Sequence, residues 1–126
     1  MSKQNPIGWF ELYVQDMQRA KNFYEATLQV TLSQIEIPDA NIEMFGFEQE
    51  MEQYGSSGAL IKVNGVPSGG GGTMVYFSCE DCAETAARAQ THGGHIKQEK
   101  MQVGEYGFVC LVEDTEGNMI GLHSNQ

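Results

Sequence analysis

Three things that the sequence lacks narrow the kinds of protein it can encode. No apolar run approaches the roughly 20 residues that a helix needs to cross a bilayer, so no membrane partner is expected. The first nine residues, MSKQNPIGW, contain one lysine and no long apolar stretch, which is not the pattern of a secretory signal. Cysteine is scarce: Cys79, Cys82 and Cys110 make an odd number without a disulfide framework. We therefore expect a cytoplasmic protein.

Basic residues are also few, with 7 Lys and Arg against 17 Asp and Glu and a formal net charge of −10. This charge would repel nucleic acid phosphates and anionic lipids, so neither is expected as a partner. It would attract a cationic small molecule, although solubility alone also explains an acidic composition. The 126 residues, 40% of them hydrophobic, suffice for one domain with a core.

A pattern that occurs twice predicts the architecture. Residues 8–24, GWFELYVQDMQRAKNFY, indicate a strand, an N-cap at Asp16 and an amphipathic helix. Residues 73–94, TMVYFSCEDCAETAARAQTHGG, repeat this order with Asp81 as the N-cap. Further strands are predicted at 31–37, 41–47, 58–63, 95–103, 106–112 and 119–124. The sequence thus predicts an α+β domain over 1–126, with βαβββ modules at 5–63 and 73–126 and a glycine-rich linker at 64–72.

The repeated module resembles the vicinal oxygen chelate superfamily, which includes glyoxalase I, bleomycin-resistance proteins and extradiol dioxygenases. VQDMQRAKNFY after the first strand and the D-x-x-G-N turn in EDTEGNMIGLHS carry the resemblance, which extends over nearly the whole chain. It is closest to the short, glyoxalase-like bacterial members. The resemblance implies that the two tandem modules form a cupped mixed sheet around a small-molecule cavity, and that the protein is a homodimer.

Members of this family often bind a divalent metal through the first and fourth strands of each module. Carried over strand by strand, these positions fall at Trp9, Met74 and Gly121, and near Leu60–Lys62. Divalent metals need several His or carboxylate ligands, which these residues do not provide. We therefore predict no cofactor at the usual site. A displaced divalent metal site stays open as an alternative.

Glu11 and His123 are the candidate catalytic residues. Glu11 shares a predicted strand face with Trp9 and Tyr13 and could be a general base, bind a cation, or be a structural carboxylate. His123 lies two residues after Gly121 on the same face and could move a proton or join Glu11 in a displaced metal site. A histidine that merely faces solvent explains it as well.

A predicted ligand-binding wall completes the candidate site, although core packing explains such residues equally well. Its members are Trp9, Tyr13, Phe45, Met74, Tyr76 and Gly121. The C-x-x-C at 79–82 is a weak redox signal, because two acidic residues between the thiols disfavour thiolate. The glycine run at 69–72 lacks the Lys-Ser/Thr ending of a phosphate loop.

Two functions are compatible with these features. The first is a glyoxalase-like lyase or isomerase that acts on a small oxygenated or electrophilic metabolite, with Glu11 as base and His123 as acid or ligand. The second is a metal-free protein like the bleomycin-resistance branch, in which an acidic, aromatic-lined groove sequesters a cationic small molecule. Because the fold hosts both classes, it does not decide between them.

Overall fold

The computed structural model describes Asn5, Ile7, residues 9–50 and residues 52–126. Gly8 of the predicted first strand, residues 1–4 of the N-terminal segment, Pro6 and Met51 lie outside the described residues. The first module contains β1 (Phe10–Tyr13), α1 (Met17–Leu28), β2 (Leu32–Gln34), β3 (Ile42–Phe47) and β4 (Gly58–Val63). The second contains β5 (Val75–Ser78), α2 (Cys82–Thr91), β6 (His95–Gln102), β7 (Phe108–Glu113) and β8 (Met119–Ser124). This order confirms the predicted α+β fold of two βαβββ modules.

Each module folds its strands into one four-stranded sheet, with the orders β1-β4-β3-β2 and β5-β8-β7-β6. The β1–β4 and β5–β8 pairs are parallel and the other pairs are antiparallel. In the register, Leu12 lies opposite Leu60 and Phe77 opposite Leu122, and these side chains contribute to the core beneath the helices. Because side chains alternate along a strand, each sheet also has a face that points away from the helices. We call the faces of the two sheets that point away from the helices, taken together, the open face.

Both helices begin at the predicted caps. The Asp16 carboxylate accepts a hydrogen bond from the backbone N–H of Arg19 at 3.0 Å, and the Asp81 carboxylate accepts one from Ala83 at 3.0 Å. Helix α1 ends at Gln29, which adopts a left-handed conformation with φ of 57°. None of the helices among the described residues is long and apolar enough to cross a membrane.

A single core joins the two modules within the chain. Its buried side chains come from both helices and both sheets, including Phe23, Tyr24, Leu60, Ile120 and Leu122. Aromatic rings connect the first strands of the modules, since the Phe10 and Phe77 centroids are 5.7 Å apart in an edge-on contact. The two modules therefore pack on each other without a second chain.

The turn between β7 and β8 fastens the second module to helix α1. The Tyr24 hydroxyl donates to Asp114 Oδ2 at 2.6 Å, and Arg19 donates through Nε and Nη2 to Glu116 at 2.7 and 3.0 Å. Asn118 Nδ2 donates to the carbonyl oxygen of Tyr13 at 2.8 Å. We call this group, formed by Arg19, Tyr24, Asp114, Glu116 and Asn118, the clasp. The two sequence motifs that carried the family resemblance therefore contact each other.

The pKa values of the two clasp carboxylates, Glu116 and Asp114, shift in opposite directions. Burial by itself raises the pKa of Glu116, but hydrogen bonds from Arg19, Asp16 and Gln15 outweigh it and lower the pKa to about 2. For Asp114 burial prevails over the hydrogen bonds and raises the pKa. Burial and the neighbouring Asp114 charge raise the pKa of Tyr24 well above its usual value. Glu116 is therefore a charged partner of Arg19, and Tyr24 remains a hydroxyl donor.

Candidate functional site

The open face carries most of the predicted site residues. On the first sheet, Trp9 and Tyr13 flank Glu11, with 41% and 36% of their surfaces exposed. On the second sheet, Met74 is 36% and Tyr76 52% exposed. Strand alternation places these residues away from the core, because Phe10, Leu12 and Phe77 between them face the helices. The result is a partly exposed aromatic surface with a carboxylate on it.

Glu11 holds the tryptophan beside it. The indole Nε1 of Trp9 donates to Glu11 Oε2 at 3.2 Å, and both side chains are exposed. Glu11 lies opposite Ala59 on β4, so a small neighbour leaves its carboxylate accessible. This arrangement orients the indole and leaves carboxylate lone pairs for a ligand. A role as general base remains a prediction.

His123 lies on the second sheet and is held through one ring nitrogen. Its Nε2 is 2.5 Å from the carbonyl oxygen of Tyr106, and because a carbonyl only accepts, Nε2 carries the proton. Gly107 makes room for this contact: a Cβ there would lie 3.1 Å from His123 Nε2, and its φ is +101°. Only Nδ1 of His123 is then free to exchange a proton with a ligand. The predicted acid role therefore remains a prediction that depends on Nδ1.

Gly121 leaves space that the ring of Tyr76 occupies. The two residues lie opposite each other on β8 and β5, and a Cβ on Gly121 would meet the Tyr76 ring at 2.3 Å. A longer side chain at position 121 would need the ring to move away. The position that supplies a carboxylate to the metal in the resembled family is therefore covered by an aromatic ring.

The register also corrects the expected metal position in the first module. Because β1 and β5 correspond at an interval of 65 residues, Glu11 matches Tyr76, and their partners Ala59 and Gly121 match each other. The corresponding position is thus Ala59, next to the predicted range Leu60–Lys62, and Leu60 itself is fully buried on the helix side. Ala59 is no better as a ligand.

A divalent metal does not fit the donors at these positions. The four positions carry an indole at Trp9 and a thioether at Met74. The other two, Ala59 and Gly121, have no donor side chain. Among the described residues, there is no group of three or more His, Cys, Asp or Glu side chains that could bind a metal ion.

Phe45 is separated from the other predicted wall residues. It lies opposite the buried Leu60, on the helix side of β3, and the ammonium of Lys21 is 5.7 Å from its ring centroid. Its neighbour Met44 lies opposite Ile61 and belongs to the open face. The expectation that Phe45 lines the same wall as Trp9 is not met, because strand alternation sends it to the other side.

Met101 is an exposed apolar residue of the open face that sequence reasoning missed. Met101 on β6 is 41% exposed and lies opposite Val109, which in turn lies opposite His123. Two register shifts between Ile96 and Met101 interrupt the pairing of β6 with β7. Because they break the two-residue period, alternation in the sequence could not place Met101 on this face.

The C-x-x-C pair is poorly suited to redox chemistry. Cys82 is fully buried and Cys79 is half-buried, with its thiol donating to the carbonyl oxygen of His123 at 3.4 Å. Burial raises the pKa of Cys79, and burial together with a hydrogen bond to Cys82 raises that of Cys110 to about 12. Thiols in this state are weak nucleophiles. The weak redox expectation gains no support from this geometry.

The chain is similar to known proteins in both sequence and structure. The sequence model of the Glyoxalase/Bleomycin resistance protein/Dioxygenase superfamily matches residues 6–122. No curated protein matches the sequence. Glyoxalase I from Zea mays is 21% identical with a TM-score of 0.74 over 95% of this chain and 46% of that one. The chain therefore spans about half the length of the maize protein.

Two further solved structures match over their whole length. A glyoxalase/bleomycin resistance protein from Albidiferax ferrireducens T118 is 18% identical, with a TM-score of 0.69 over 97% of this chain and 100% of that one. TnmS3, an antibiotic-binding protein from Streptomyces sp. CB03234, is 21% identical, with a TM-score of 0.68 and 100% coverage of both chains. At these identities the likeness concerns the fold alone.

Proposed function

Because the chain belongs to the Glyoxalase/Bleomycin resistance protein/Dioxygenase superfamily, we propose that it binds a planar, cationic small molecule on its open face without a metal. The observation that carries this proposal is the Tyr76 ring over Gly121. An aromatic platform stands where a metal-dependent relative would need a carboxylate. The antibiotic-binding neighbour TnmS3 is an example of a binding protein with this fold.

The chemistry of the open face favours a cation with an aromatic body. Trp9, Tyr13 and Tyr76 offer exposed rings, and Glu11 lies within hydrogen-bond distance of Trp9. A cation over such a ring gains about 0.5–2 kcal/mol, and more when a ligand or protein excludes water. The net charge of −10 adds a long-range attraction for cations.

We further propose that a second copy of the chain covers the open face. Several large apolar side chains are exposed there, including Trp9, Met74 and Met101. We propose that these side chains belong to one apolar patch, which in soluble proteins marks an interaction or ligand site. A homodimer would enclose the ligand and exclude water from Glu11. Light scattering coupled to gel filtration tests this proposal, and a monomer at all concentrations would contradict it.

We also propose that the protein is cytoplasmic, because its three cysteines are free thiols.

The single tryptophan gives a direct test of binding. Fluorescence of Trp9 is titrated with N-methylquinolinium, a planar aromatic cation, and with 2-naphthoate as the matched anion. We expect saturable quenching by the cation only, and about threefold to fivefold weaker binding in Glu11→Gln, as for loss of one exposed charge pair. Glu36→Gln removes the same charge from an exposed loop and serves as the control. Equal quenching by both probes, or unchanged affinity in Glu11→Gln, would overturn the proposal.

A glyoxalase-like lyase or isomerase is the second candidate function. The residue types favour it, because Glu11 on the open face of the first sheet could be a base and His123 on that of the second sheet could be an acid. The adduct of methylglyoxal and glutathione is the substrate to test, with purified protein before and after addition of Ni²⁺ or Zn²⁺. Turnover that is lost in Glu11→Gln, or a stoichiometric metal found in the purified protein, would favour the enzyme over the binder.

A further inference from the structure

A cavity of about 620 Å³ lies between the two modules on the helix side, away from the open face. It is bordered by the end of helix α1, the first turns of α2 and the loop before β4, and we call it the helix-side cleft. We propose that the helix-side cleft is a second small-molecule site, which takes an organic ammonium ion with an aromatic body. This site is separate from the function proposed above and does not depend on it.

In each module, the loop between the last two strands could pack against the helix of the other module. Only the β7–β8 turn does so, and the cleft lies where the β3–β4 loop does not. The β7–β8 turn fastens the N-terminus of α1 through the clasp, with Arg19 and Tyr24 as its anchors on the helix. The interval of 65 residues relates Arg19 to Glu84 and Tyr24 to Ala89 on α2. A carboxylate and a methyl group therefore replace the guanidinium and the phenol. The loop between β3 and β4 cannot form the same contacts with α2, so space remains.

The floor of the helix-side cleft is aromatic. Phe10, Phe47 and Phe77 line it and are half-buried, and their ring centroids lie 5.7–5.8 Å from each other. Leu28 at the end of α1 adds an aliphatic wall. Partly exposed phenyl rings at this spacing offer both edges and faces to an aromatic ligand. The volume is in the range of about 300–1,000 Å³ that small-molecule sites occupy.

The rim of the cleft is acidic. Glu48, Glu80 and Glu84 are exposed lining residues that form no ion pair among the described residues. Asp81 also lines the cleft, but Lys100 pairs with it at 3.0 Å and neutralises its charge. Three carboxylates around an apolar floor attract an ammonium group and disfavour an anion.

Arg88 is the one cation among the described residues that line the cleft, and its guanidinium is already engaged. It donates through Nε to the carbonyl oxygen of Thr27 at 3.0 Å and through Nη2 to Thr85 Oγ1 at 3.1 Å. The bond to Thr27 ties α2 to the end of α1 and holds the wall of the cleft in place. Both acceptors are neutral, so Arg88 keeps its charge, but the three carboxylates of Glu48, Glu80 and Glu84 outnumber it and the cleft is negative overall.

Chemical-shift mapping on the full chain tests the proposal. Phenethylammonium is titrated into ¹⁵N-labelled protein, with 3-phenylpropionate as the matched anion. We expect the ammonium to shift amide signals at residues 28–30 and 80–85, and the anion to have no comparable effect. Glu84→Gln should weaken binding about threefold, as for one exposed charge pair. Glu36→Gln, which removes the same charge outside the cleft, should leave the affinity unchanged.

A charge reversal makes the test sharper. Glu84→Arg places a guanidinium at the position that corresponds to Arg19, and it should abolish the preference for phenethylammonium over 3-phenylpropionate, because two carboxylates then face two guanidinium groups. Shifts confined to residues 9–13 and 74–76 would place the probe on the open face and overturn this proposal while leaving the first intact. Equal binding of both probes to the unchanged protein, or no effect of Glu84→Gln, would also overturn it.

Discussion

Arg19 in helix α1 and Glu116 in the β7–β8 turn form a two-pronged ion pair, at 2.7 and 3.0 Å, across 97 residues of sequence. The Glu116 side chain is fully buried, whereas half of the Arg19 side chain is exposed. Glu116 also accepts from the backbone N–H groups of Gln15 and Asp16. Removing Arg19 would leave the buried carboxylate of Glu116 without a counter-charge, so this pair links the two modules more strongly than an exposed pair would.

The first prediction concerns the pH dependence of stability. The pKa of Glu116 is lowered to about 2 from 4.5 in the folded protein, so its carboxylate stabilises the fold above about pH 4.5. That contribution is lost as the pH falls from about 4.5 to about 2. The shift corresponds to about 3 kcal/mol, and screening of the exposed Arg19 reduces the expected value to about 2 kcal/mol. Urea unfolding at pH 7, 5, 4 and 3 measures it.

Glu116→Gln is the matched variant for this prediction. It keeps the shape of the side chain but cannot ionise, so it should be less stable by about 2 kcal/mol at pH 7 and should approach the original protein at pH 3. If the two stability curves stay parallel over this range, Glu116 is not the group that titrates. Asp114, whose pKa is raised by burial, acts in the opposite direction, because its contribution is lost as the pH rises through its folded pKa.

The second prediction tests the other half of the clasp. Tyr24→Phe removes the hydroxyl that donates to Asp114 at 2.6 Å and leaves a buried carboxylate oxygen with one donor fewer. We expect the free energy of unfolding to fall by about 1–3 kcal/mol. Tyr13→Phe is the control, since Tyr13 is 36% exposed on the open face, and it should change stability by less than about 0.5 kcal/mol. Comparable effects of the two substitutions would refute the role of the clasp.

The repeat at residues 8–24 and 73–94 predicted most of the fold because its signals are local. Asp16 and Asp81 cap their helices as expected, and the alternation of Phe10, Glu11 and Leu12 predicted the two faces of β1. Periodicity and capping are properties of neighbouring residues, so the sequence alone exposes them.

The clasp, the helix-side cleft and the placement of Phe45 were less predictable, because they depend on how residues pack in the folded chain. The bonds of Glu116 to Arg19 and of Tyr24 to Asp114 span 97 and 90 residues, and nothing in either segment indicates its partner. The helix-side cleft arises because Ala89 on α2 occupies the position that corresponds to Tyr24 on α1. This difference leaves space only when the two modules pack together. Phe45 was misplaced because β3 carries apolar side chains on both faces, with Met44 on one face and Phe45 and Phe47 on the other.

The third prediction concerns the end of helix α1. Gln29 adopts a left-handed backbone with φ of 57°, which costs a residue with a Cβ about 1 kcal/mol relative to glycine. Gln29→Gly should therefore raise the free energy of unfolding by about 0.5–1 kcal/mol, despite the greater freedom of glycine in the unfolded chain. Gln29→Ala removes the same side chain but keeps the Cβ, so no gain is expected. A gain in the alanine variant would show that the side chain, not the backbone, is responsible.

The fourth prediction tests whether the Tyr76 ring depends on the absence of a side chain at Gly121. A Cβ on Gly121 would lie 2.3–2.8 Å from three ring carbons of Tyr76, so Gly121→Ala must displace the ring and should cost about 1–3 kcal/mol. In a Tyr76→Ala background the space is free, and the same substitution should cost less than about 0.5 kcal/mol, which gives a coupling energy of about 1–2 kcal/mol. Gly121→Ala should also weaken N-methylquinolinium binding in the Trp9 fluorescence titration, because it displaces one of the exposed rings proposed to bind the ligand. Additive effects of the two substitutions on stability would mean that the ring does not rest on Gly121, and the aromatic platform would lose its structural basis.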